Sequence, residues 1–129
     1  YGWSDKLDRT QIAEKYRTCD IVTFVSTYEG FGLPILEGQA SGRAVLTSNL
    51  SPMKEVAGQG ACLVDPTDVQ AIGDGIRKII GDRTYRETLI AQGLENVSRY
   101  DVSVMARGYI DLYRKAHNNQ PSILREQVA

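Results

Sequence analysis

Histidine and cysteine are scarce in this chain, and their scarcity closes off a chemistry. Among 129 residues there is one histidine, His117, and two cysteines, Cys19 and Cys62, too few and too scattered for the spacing of a zinc site. Each cysteine lies singly beside an apolar run, so both are read as reduced, small, buried hydrophobes, which suits a cytosolic protein. No apolar run approaches the roughly 20 residues that a membrane span needs. The first residues, YGWSDKLDR, do not read as a secretory leader. A net charge of −1 leaves no basic footprint, so nucleic acid is not an expected partner. The remaining composition, 42% hydrophobic and 24% charged, is that of a globular domain, and the length suits a single core.

Three short apolar runs, Ile21 to Val25, Ala44 to Thr47 and Ala61 to Val64, read as parallel strands covered on both faces. Helical segments alternate with them. The first runs from Arg9 to Thr18, announced by a capping-box pair, Asp8 and Gln11, and by a Leu7/Ile12 staple. A second starts at Pro34, runs to about Ser41 and stops at Gly42; a third runs from Ser51-Pro52 to Val56 and stops at Gly58. Strand and helix alternating in this way imply an α/β domain with right-handed crossovers. Beyond the last strand the chain turns helical. Thr67 or Asp68 caps a helix with Val69, Ile72, Ile76, Ile79 and Ile80 along one stripe, which Gly81-Asp82 breaks. Another helix follows to about Tyr100, with Leu89, Ile90, Leu94 and Val97 inward, and Asp101 caps a last one through Ala116. Residues 1–117 form the expected domain and 118–129 a polar C-terminal tail.

The segment EGFGLPILE, Glu29 to Glu37, carries the chemistry. Two carboxylates stand eight residues apart around a Gly-Phe-Gly turn that opens a helix. Gly30 and Gly32 permit turns that a Cβ forbids and let a ligand approach the backbone. The amides around Gly32, Leu33 and Ile35 are expected to be free at the positive end of a helix, which is a phosphate site. Ionised carboxylates only accept hydrogen bonds, so Glu29 and Glu37 suit the hydroxyls of ribose or sugar. A phosphate flanked by two polyols describes a nucleotide sugar.

The strand IVTFVS, then EGFGLPILE, EGQASGRAV, SPMKEVAG and CLVDPTD closely resemble the retaining glycosyltransferases of family 4, also called group 1. The likeness runs in order from about Leu7 to Tyr113. It implies a Rossmann-like parallel sheet followed by C-terminal helices, the partial C-terminal, donor-binding domain of a GT-B enzyme. The expected donor is a nucleotide-diphosphate sugar; the acceptor is a saccharide or a lipid-linked one, of the kind found in surface polysaccharide or glycolipid synthesis. By the resemblance Glu37 binds the donor ribose, Glu29 faces the transferred sugar as the catalytic carboxylate, and Gly30, Phe31, Gly32 and Leu33 bind through their backbone. No Asp-x-Asp triplet occurs, so the metal clamp of another glycosyltransferase class is missing; no metal and no cofactor is expected. The resemblance also implies that a phosphate-neutralising Arg and Lys and a separate N-terminal acceptor domain lie upstream, so the isolated chain is expected to be inactive. The implied location is cytoplasmic, with a peripheral place at the inner face of the membrane in the intact enzyme.

Gly38, Ala44 and Arg43 depart from the commonest family pattern, at positions concerned with helix and turn packing. Plainer readings stand beside the functional ones: Glu29 as a loop carboxylate capping an amide, Glu37 as a solvated helix residue, and Phe31 as a core ring. Ser26, Thr47, Ser48 and Asn49 fall at C-terminal strand ends, where α/β sheets place both ligands and turns, and Glu55 reads as structural. Trp3 reads as packing residue or as a stacking platform. A glycogen- or sucrose-synthase-like enzyme is the alternative of similar architecture, and a non-catalytic nucleotide-sugar-binding or interaction domain is the alternative of another class. The broad apolar face of the last helix (Val104, Met105, Tyr109, Ile110, Leu112, Tyr113) suggests self-association or a partner domain.

Overall fold

The computed structural model describes residues 7–118, so Trp3 and the tail from 119 to 129 lie outside the described residues. Helix α1 spans Arg9–Thr18 with a complete capping box: Gln11 N–H donates to Asp8 Oδ1 at 2.8 Å, and Asp8 N–H donates back to Gln11 Oε1 at 2.9 Å. Strand β1 is Ile21–Phe24, β2 is Ala44–Ser48 and β3 is Ala61–Val64. They form one parallel sheet in the order β1-β2-β3, with Ile21 opposite Ala44 and Val45 opposite Ala61. Helix α2 (Leu33–Ala40) joins β1 to β2, and α3 (Met53–Ala57) joins β2 to β3. This is the α/β parallel architecture expected from the apolar runs.

Strand β2 is buried at every position, because both of its neighbours in the sheet are present and both faces are covered. On one face Ala44, Leu46, Cys62 and Val64 pack with Ile79 of α4 (Val69–Gly81) and Leu89 of α5 (Arg83–Val97). On the other, Ile35 of α2 and Met53 and Val56 of α3 are the buried side chains. Burying one such side chain stabilises the fold by about 1.5–3 kcal/mol. Asp82 serves two helices at once: its N–H closes α4 on the Lys78 carbonyl, and its side chain accepts from Tyr85 N–H to start α5.

Several expected positions move. Val69 and Ile80 are 84% and 63% exposed, so the inward stripe of α4 narrows to Ile72, Ile76 and Ile79. In α5 Leu94 is 50% exposed, and the buried residues are Leu89, Gly93 and Asn96. Asn96 is accepted inside because its amide donates to Gln39 Oε1 at 2.9 Å and to the Val56 carbonyl at 2.8 Å, while Gln39 Nε2 donates to the Ala57 carbonyl at 2.9 Å. A buried polar pair satisfied in this way ties α5 to α2 and α3. Cys19 is half-buried rather than buried, its thiol directed at the Tyr16 carbonyl, whereas Cys62 is buried as expected. Helix α5 ends at Val97, and Ser98–Tyr100 form a 3-10 turn.

The chain divides into two compact units, the first ending at Ser98 and the second beginning at Arg99. The second is built on α6 (Val102–Asn118), so Asn118 closes a helix instead of opening the tail. Asp101 starts α6 by accepting from Ser103 N–H at 2.8 Å, and the Ser103 hydroxyl, followed by that N–H, holds the Asp101 carboxyl below its ordinary value. Among α6's apolar residues, Val104, Met105, Tyr109, Ile110, Leu112 and Tyr113 are all exposed. No described helix is long and apolar enough to cross a membrane.

Candidate functional site

The strand-to-helix junction from Phe24 to Leu33 lies at the C-terminal edge of the sheet, where parallel α/β sheets hold ligands. Gly32 is the N-cap of α2 at φ +102°, a backbone that L side chains rarely adopt. A Cβ there would also lie 3.0 Å from Ile35 Cδ1. The positive φ is the ground that requires glycine, and a Cβ would in addition have to push the Ile35 methyl aside by a few tenths of an ångström. Helix α2 starts at Leu33, one residue before Pro34, which is tolerated in the first turn where a missing N–H is no loss.

One of the three expected amides is not free. Ile35 N–H donates to the Gly32 carbonyl at 3.0 Å, because the helical backbone of Leu33 and Pro34 closes a 3-10-type first turn. The N–H groups of Gly32 and Leu33 keep the end of the helix open, with no acceptor among the described residues. They lie at the positive end of the α2 dipole. Phe31 is 44% exposed, which rules out the reading of its ring as core.

Glu29 is half-buried and held from its own loop: Ser26 Oγ donates to Glu29 Oε1 at 2.9 Å. The loop is fixed in turn by β2, since Ser48 Oγ donates to the Ser26 carbonyl at 2.5 Å and Thr47 Oγ1 to the Phe24 carbonyl at 2.7 Å. Thr47 and Ser48 are fully buried, so their hydroxyls clamp β2 to the end of β1. Asn49 N–H donates to the Val64 carbonyl at 2.8 Å and continues the join toward β3. Of the four candidates at strand ends, Ser26 alone touches a motif carboxylate, and the others act as turn and strand residues. Glu55 of α3 accepts at 3.0 Å from Oγ of Ser51, which lies just before that helix. Asp65 closes the turn after β3: the Thr67 hydroxyl and N–H both donate to it and hold its carboxyl below the ordinary value.

Glu37 lies on α2, half-buried, and is approached from another helix. Tyr16 of α1 donates its hydroxyl to Glu37 Oε2 at 2.7 Å. Burial, and then the hydrogen bond to the carboxylate, push the Tyr16 phenol well above its ordinary value, so it remains a donor. Sequence reasoning missed Tyr16. The two residues are 21 apart and on different helices, so no local spacing announces the pair.

A separate cavity of about 760 Å³, lined by Cys19, Asp20, Ile21, Arg43, Ile80 and Arg86 among others, opens where β1 and β2 begin. It shares no residue with EGFGLPILE. Among the described residues no group of three or more His, Cys, Asp or Glu is placed to hold a metal ion.

Residues 2–96 match the family described as glycosyl transferases group 1. Over 99 residues the chain is 34% identical to the O-antigen chain mannosyltransferase B of Escherichia coli, a match covering 77% of this chain and 26% of that protein. Among solved structures it is similar to the C-terminal domain of a glycosyl transferase group 1 family protein from Francisella tularensis, with a TM-score of 0.67, 32% identity, and coverage of 77% of this chain and 52% of that one. It is also similar to sucrose-phosphate synthase from Thermosynechococcus elongatus, with a TM-score of 0.76, 26% identity, and coverage of 89% and 30%. The chain thus spans about a quarter of the length of the E. coli relative.

Proposed function

The chain belongs to the glycosyl transferases of group 1, and we propose that it serves in the donor-binding domain of a retaining, family 4 enzyme that transfers a sugar from a nucleotide-diphosphate sugar. The observation that carries this reading is Gly32: a glycine at φ +102° opens α2 with free N–H groups, between two carboxylates that are each held by a hydroxyl donor. The diphosphate lies against the N–H groups of Gly32 and Leu33, which Gly30 and Phe31 leave accessible from the loop. Glu37 accepts from the ribose hydroxyls. Glu29 faces the transferred sugar and stabilises the positive charge that grows at its anomeric carbon.

The mannosyltransferase name of the E. coli relative makes mannose the first sugar to test, and its O-antigen chain supports a saccharide or lipid-linked acceptor. The likeness to sucrose-phosphate synthase supports a second reading, transfer to a small sugar by a synthase of similar architecture. In both readings the reaction needs no metal at Glu29 or Glu37, and the diphosphate is also met by an arginine and a lysine outside EGFGLPILE.

A thermal-shift comparison of nucleosides with their diphosphates tests the phosphate site. At a free concentration ten times Kd, a ligand of the native state stabilises it by about 1.4 kcal/mol, which raises Tm by several degrees. UDP, GDP or ADP is expected to raise Tm clearly more than uridine, guanosine or adenosine at equal concentration. Equal shifts within each pair would remove the phosphate from the site.

A further inference from the structure

We propose that Tyr16 is a positioning residue for nucleotide recognition: it orients Glu37 for the ribose hydroxyls, an assignment that rests on the donor-site reading above. Tyr16 is the one residue of the ten in α1 that is not exposed, and its hydroxyl meets Glu37 Oε2 at 2.7 Å. A glutamate on a helix otherwise samples several rotamers, and ordering it when a ligand arrives costs binding free energy. The Tyr16 bond fixes the carboxylate beforehand. It also occupies only one of the acceptor positions of the carboxylate, leaving Oε1 and the second lone pair of Oε2 for two neighbouring hydroxyls. The C-terminal end of α1 also meets Arg43, whose Nη2 donates to the Arg17 carbonyl at 2.5 Å. The bond from Tyr16 to Glu37 is therefore not the only hydrogen bond that ties α1 to the rest of the described residues.

The test measures Kd of this chain for whichever of UDP, GDP and ADP binds most tightly, and for the 2′,3′-dideoxy analogue of the same nucleotide. The ratio of the two constants reports what the ribose hydroxyls contribute. Tyr16→Phe keeps the ring and removes the donor. It is expected to weaken binding of the ribose form roughly fivefold, leave the dideoxy form within about twofold, and so lower the ratio. Glu37→Gln lowers the ratio further, and adding Tyr16→Phe to it changes nothing more, because the two side chains act as one unit. If Glu37→Gln lowers the ratio and Tyr16→Phe does not, or if Tyr16→Phe weakens both nucleotides equally, Tyr16 only holds α1 in place and the proposal fails while the donor site stands. If Glu37→Gln leaves the ratio unchanged, the ribose assignment itself is wrong and the role of Tyr16 falls with it.

Discussion

Replacing Glu29 by glutamine in an intact enzyme that carries this chain is expected to lower kcat about a hundredfold, with little change in the donor KM. A carboxylate held against a centre that becomes positive in the transition state contributes there and not in the ground state, and loss of one such preorganised group costs about 10²–10³ in rate. The hydroxyl of Ser26 keeps the Glu29 carboxylate aimed, and Ser48 fixes the backbone of Ser26, so the group does not have to be ordered during the reaction. Glu37→Gln should behave in the opposite way. It weakens a hydrogen bond made equally in both states, so the donor KM rises roughly tenfold or more and kcat stays close to its starting value. Steady-state kinetics with the donor varied separates the two. The reverse pattern would exchange the roles assigned to Glu29 and Glu37 while leaving both in the site.

The second large effect is on stability. A Cβ at Gly60 would lie 2.4 Å from Gly93 Cα, 2.5 Å from Gly93 N and 2.7 Å from Gln39 Nε2. Two of these are backbone atoms, which cannot rotate aside, so α5 must move away from the start of β3. Gly60→Ala is expected to destabilise the fold by about 3 kcal/mol, at the upper end of overpacking costs, and to lower Tm by about 12 °C or more. Gly73→Ala is the matched control. It lies inside α4, where the nearest atom to a Cβ is the Arg77 guanidinium Nη1 at 3.4 Å, so alanine gains helix propensity of about 0.5–1 kcal/mol and Tm rises. A neutral Gly60→Ala in denaturant unfolding would show that α5 does not pack against the start of β3. The consequence reaches the site, because Gln39 is two residues from Glu37 on α2 and is bonded to Asn96 of α5.

Local signals in the sequence carried much of this architecture. The three strands are short apolar runs, and all three were legible within one residue because burial on both faces leaves no polar alternation to confuse the pattern. Helix starts at Asp8, Asp68 and Asp101 follow from side chains that accept from N–H groups two or three residues on, a relation visible in the sequence itself, whereas Asp82 reads there only as a break. The inward face of α5 was not legible. Gly93 is buried because Gly60 comes close to it, and Asn96 because its partners lie 40 and 57 residues away. A periodicity that counts only apolar residues puts Leu94 inside in their place. The site divides in the same way. Glu29, Gly32 and Glu37 belong to one contiguous motif and could be read directly, whereas Tyr16 reaches Glu37 from a different helix. The bond that removes Ile35 from the free amides comes from a tight first turn at Leu33 and Pro34, a conformation that composition allows but does not specify.

The central claim, that the Glu29–Glu37 segment binds the diphosphate end of a nucleotide, is tested most directly by following backbone amide resonances of this chain during titration with UDP, GDP and ADP. With the nucleotide that binds, the amides of Gly30, Gly32 and Leu33 should shift saturably and together, with smaller changes around Glu37, and the corresponding nucleoside should leave the Gly32 and Leu33 amides nearly unmoved. Shifts that instead gather at Cys19–Ile21, Gly42 and Arg43, in the cavity where β1 and β2 begin, with Gly32 and Leu33 still, would contradict it.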